Sequence, residues 1–101
     1  MAPRLDLQAL LVSILGSDNV YFQPPPSLQM QYPCIVYHRD RFRTEFADDK
    51  PYTVERQYQV TVIDRNPDSE VPGALALLPK CIHENFFTAD NLNHDVFRLF
   101  F

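Results

Sequence analysis

The chain is short of glycine, of positive charge and of paired cysteine. Each shortage removes a class of function. Two glycines in 101 residues leave no Gly-rich loop to cradle a phosphate and no GxSxG elbow to present a nucleophile. Nine Lys and Arg against thirteen Asp and Glu give a net charge of −4, the wrong balance for a domain that grips nucleic acid through phosphate contacts. Tryptophan is absent. Cys34 and Cys81 stand alone, outside any CxxC spacing, and no export signal precedes them, so two buried thiols are expected rather than a disulfide. No apolar run reaches the roughly 18 residues that span a bilayer, and the expectation is a soluble chain without membrane contact.

What is present suits a single domain over residues 1–101. Hydrophobic residues make up 46%, and aromatic residues 13%, alongside nine prolines. A core of this size encloses few large rings, so a surplus of Phe and Tyr suggests a surface meant for a partner. Leu7, Leu10, Leu11, Ile14 and Leu15 recur at helical spacing and predict a helix from Pro3 to Leu15, stopped by Gly16. A short extended piece follows at Val20 to Phe22, and then three prolines from Pro24 to Pro26 impose a stiff connector.

The segment Cys34 to Phe42 reads as a strand. Tyr52 to Arg65 reads as the clearest one, with Val54, Tyr58, Val60 and Val62 alternating against Glu55, Gln57, Gln59 and Thr61. Between them "RTEFADDKP" is too long for a tight turn, which predicts a long hairpin with a projecting arm. A second, short helix is expected at about Glu70 to Leu78, capped by Asn66, Asp68 or Ser69 and closed by Pro79, with Val71, Leu75 and Leu78 facing the sheet. Two final strands surround "TADNLN", whose Asn and Asp supply turn chemistry. The expected fold is α+β: a mostly antiparallel sheet carrying a long β-hairpin arm, with the N-terminal helix and the short helix packed on it.

Candidate chemistry is thin. His94 and Asp95 are neighbours and point to opposite faces of a strand, as do His83 and Glu84, while His38 lies beside Arg39. That spacing does not announce a metal site, so no metal, no cofactor and no catalytic residue is expected. Binding is the better prospect. The charged hairpin region interleaves Arg43, Glu45 and Arg56 with Phe42, Phe46 and Tyr52, a mixture typical of protein contacts. Asn91, Asn93 and His94 at the last turn complete the expected interface set.

The strings "YPCIVYHRDR", "RQYQVTVIDRNPDSEVPGALALLP" and "FTADNLNHDVFRLFF", in this order, resemble the tail terminator and tail completion proteins of long-tailed bacteriophages. The resemblance runs from about Tyr32 to the C terminus. It implies a homo-oligomeric ring, six-fold in that family, at the head-proximal end of the tail tube. Such a ring stops tube polymerisation and meets the tail tube protein on one side and the head-tail connector or head completion protein on the other. It implies a virion neck protein made in the host bacterial cytoplasm, with DNA passing through the lumen unbound, and it carries over no catalytic residue. A head-completion or minor tail tube role, and a small metal-dependent enzyme, are the alternatives.

Overall fold

The computed structural model describes residues 3–47 and 50–101, with the side chains of 41–55 and Pro3 excluded. Seven elements follow one another: α1 (Pro3–Leu15), β1 (Val20–Phe22), β2 (Cys34–Ala47), β3 (Lys50–Asp64), α2 (Val71–Ala76), β4 (Cys81–Ala89) and β5 (Leu92–Phe100). The strands form one five-stranded sheet in the order β1-β2-β3-β5-β4, antiparallel throughout except for the parallel pair β1 and β2. This is the α+β fold that the residue pattern predicts.

The core lies on one face of the sheet. Tyr37, Val60 and Phe97 sit side by side across β2, β3 and β5, flanked by the pairs Ile35 with Val62 and Tyr58 with Leu99. Leu7 and Leu11 of α1 and Leu75 of α2 close over them in a single buried cluster. Leu10, Ile14 and Leu15 pack at its margin, as do Val71 and Leu78, so the helical spacing of both segments identifies the buried stripe. A polar clamp ties α1 to the sheet: the Tyr37 hydroxyl donates to Gln8 Oε1, and Gln8 Nε2 donates to the Val20 carbonyl at 3.1 Å. Arg4 lies 4.6 Å above the Phe22 ring.

Gly16 stops α1 with φ +81°, a left-handed cap that its missing Cβ makes inexpensive, and its N–H donates to the Val12 carbonyl at 2.9 Å. Among the described residues no helix lies on the opposite sheet face. Cys34 and Ile63, which are cross-strand neighbours, and Val96 are buried there outside the helix-covered cluster.

Three expectations need correction. The helix α2 is shorter than Glu70 to Leu78, and its N-cap is Glu70, which makes no side-chain cap hydrogen bond; Ser69 Oγ accepts instead from the Val71 N–H at 3.3 Å. Pro72 and Gly73 inside so short a segment explain the loss of length. The two strands run further than Cys34 to Phe42 and Tyr52 to Arg65, because β2 and β3 pair from Cys34 with Ile63 out to Ala47 with Lys50. Backbone ladder bonds are indifferent to the charge of the side chains they carry. Gln57, expected on a wettable face, is buried and donates to Asp40 Oδ2 at 2.8 Å, which satisfies it.

Candidate interaction surface

The turn expected within "TADNLN" is seen in the backbone geometry of the last hairpin. Asp90 and Asn91 link Ala89 to Leu92 with φ of 54° and 61°, two consecutive left-handed residues of the kind a two-residue hairpin loop demands. Asp and Asn tolerate that region because their short side chains bond locally. Asn93 then donates through Nδ2 to the carbonyls of Asp64 at 3.1 Å and Arg65 at 3.3 Å, pinning the start of β5 to the exit of β3. His94 donates from Nδ1 to the Leu92 carbonyl at 3.2 Å and stacks on Phe87, ring centroids 4.6 Å apart and planes 9° from parallel.

Neighbouring residues on β5 face opposite ways, as a strand requires. Asp95 turns to the helix side and takes His83 Nε2 at 3.0 Å, while the His83 ring meets the edge of Phe97 at 5.0 Å. His38, His83 and His94 therefore occupy separate surroundings on three strands. Among the described residues no group of three or more His, Cys, Asp or Glu is placed to hold a metal ion.

Of the expected contact residues, Asn91 is exposed at the turn, Asn93 and His94 are half-buried and engaged within the chain, and Arg56 is half-buried beside the β5 end. The side chains of Phe42, Arg43, Glu45, Phe46 and Tyr52 lie outside the described residues. The projecting arm and its contacts accordingly stand as a proposal.

Among the described residues, three large exposed apolar side chains lie together on an element the composition did not single out. On β4 every residue from Ile82 to Ala89 is exposed, and Ile82, Phe86 and Phe87 are 52%, 50% and 43% accessible. Phe86 is level with Asp95 and lies on the helix side, whereas Phe87 is level with His94 on the bare face. Among the described residues the strand is the outer edge of the sheet, paired only with β5. Arg98 Nε donates to Glu84 Oε1 at 2.6 Å, so the one acidic side chain on this strand is turned inward to its neighbour. Sequence alone hides this feature, because an alternating strand reads the same at an edge as in the middle of a sheet.

The cysteines are free: Cys34 is buried and Cys81 half-buried, a small departure from two buried thiols. Burial pushes the Cys34 thiol up to about 11, with Asp64 adding to the rise, and burial also raises Cys81. Only the thiolate attacks, so at pH 8 both thiols are protonated and slow. Titration with an aromatic disulfide reagent at pH 8 is expected to leave Cys34 unreacted in the folded chain, with Cys81 reacting slowly and both reacting at once in denaturant. Rapid stoichiometric labelling of Cys34 in the folded state would contradict this packing.

No match was found to any protein-family model, curated protein or solved structure. Among the described residues no helix is long and apolar enough to cross a membrane.

Proposed function

We propose that this chain is a self-assembling structural subunit that works as a tail terminator of a long-tailed phage. It would form a ring at the head-proximal end of the tail tube, stop polymerisation there and offer a joining surface to the head connector. The single observation that carries the contact role is β4, an exposed edge strand of nine residues bearing Ile82, Phe86 and Phe87. Large apolar side chains grouped at an unpaired edge favour a protein neighbour over solvent. The resemblance of three long strings from Tyr32 onward supports the phage assignment, and the net charge of −4 suits a lumen that DNA crosses without being held.

In this reading the hairpin from Phe42 to Tyr52 carries contacts to neighbours. Phe46 is the expected anchor, with Arg43 and Glu45 at the rim. Phe46→Ala is expected to leave the melting temperature of the isolated chain nearly unchanged while weakening association by about 2 kcal/mol or more. Thermal unfolding and assembly on tails, measured on the same preparation, check both halves. Unfolding of the isolated variant would place Phe46 in the core. Tails of normal length joined to heads at the usual yield would make the hairpin ordinary solvated surface.

A further inference from the structure

The two edges of the sheet are built differently. On one side β1 is only three residues long and runs into Pro24, Pro25 and Pro26, which cannot extend a ladder. The Gln23 side chain accepts from the Arg39 N–H at 3.3 Å and occupies the next place along β2. On the other side β4 runs nine residues, longer than the usual five or six, with neither Pro nor Lys from Cys81 to Ala89. Its guards are a bulge between His83 and Asn85 and the inward-turned Glu84.

An open edge specifies the chemistry of whatever covers it. Its outward N–H and C=O groups accept an extended backbone and nothing else of comparable length. The same chain carries a second open ladder of matching kind. Because β1 pairs β2 only from Ile35 to Tyr37, among the described residues no strand lies along the outer side of β2 from Arg41 to Ala47. That stretch and β4 open toward opposite sides of the sheet. A second copy placed beside the first satisfies both.

We infer that the β4 edge of one copy pairs with the outer stretch of β2, Arg41 to Ala47, in a second copy, continuing the sheet from subunit to subunit. The contact is heterologous, each copy giving one edge and receiving at the other, the arrangement that forms a ring when its rotation closes and a filament when it does not. It also covers Ile82, Phe86 and Phe87, which flank the edge on both faces. This inference rests on the ring reading above and specifies the strands that hold neighbours together.

Mixed disulfide trapping tests it on the full chain. One variant carries Phe86→Cys and another carries Arg43→Cys or Thr44→Cys, adjacent positions that alternate faces; all are made with Cys81→Ala. Circular dichroism and thermal unfolding establish that each variant is folded. Mild oxidation of the mixture is expected to give the crossed dimer at least tenfold above either self-dimer, at concentrations where native mass spectrometry records oligomers. Self-linkage of Phe86→Cys as the main product would replace the proposal by a two-fold β4 contact. Closed oligomers that yield neither crossed product would overturn the edge pairing and leave the ring reading intact. A chain that stays monomeric at millimolar concentration would overturn the pairing, and the ring reading would then stand or fall on the tails themselves.

Discussion

Phe97→Ala is expected to destabilise the isolated chain by about 3–5 kcal/mol, the cost of emptying a large aromatic site in a packed core. Phe97 is 1% exposed and lies level with Tyr37 and Val60 at the centre of the helix-covered face. It also supports His83, whose ring meets it edge-on at 5.0 Å. A domain of this length holds about 5–15 kcal/mol in total, so the variant would sit near its unfolding threshold at 37 °C. Leu77→Ala provides the control. Leu77 is 87% exposed, and its truncation should fall within about 0.5 kcal/mol of the parent. Urea unfolding followed by far-ultraviolet dichroism measures both. Equal midpoints would mean that the core has been assigned to the wrong face.

The second large effect falls on assembly rather than folding. Ile82→Lys combined with Phe86→Lys places two charges at the β4 edge, the device by which natural edge strands refuse additional strands. Both side chains are about half exposed, so the melting temperature should move by only a few degrees. Association should fall by at least a hundredfold, since two buried apolar contacts are exchanged for two desolvated ammonium groups. Sedimentation velocity across a concentration series reads the change. Unaltered self-association of the folded double variant would remove β4 from the contact surface.

These two effects also mark where sequence reasoning succeeds and where it stops. Tyr58, Val60 and Val62 belong to an alternating run, and Leu7, Leu11 and Leu75 to helical spacings, so the core face follows from periodicity that any buried surface imposes. The Asp90-Asn91 turn is legible for a similar reason, since few residues accept φ of 54° and 61° in succession. The exposure of β4 is not legible. It depends on β5 inserting between β3 and β4, a choice of strand order that local pattern does not encode. Gln57 was hidden likewise, because its hydrogen-bond partner Asp40 lies on a different strand. The contact residues of the hairpin rest on composition alone, whereas Asn93 and His94 turn out to hold the start of β5 in place.

The central claim is that copies of this chain close into a ring at the end of a tail, and electron cryo-microscopy of intact tails tests it most directly. The account predicts a ring of identical subunits, six if the family resemblance holds, at the head-proximal end, with continuous sheet density joining neighbours. A single isolated copy at the neck, or tails of normal length lacking the chain altogether, would contradict it.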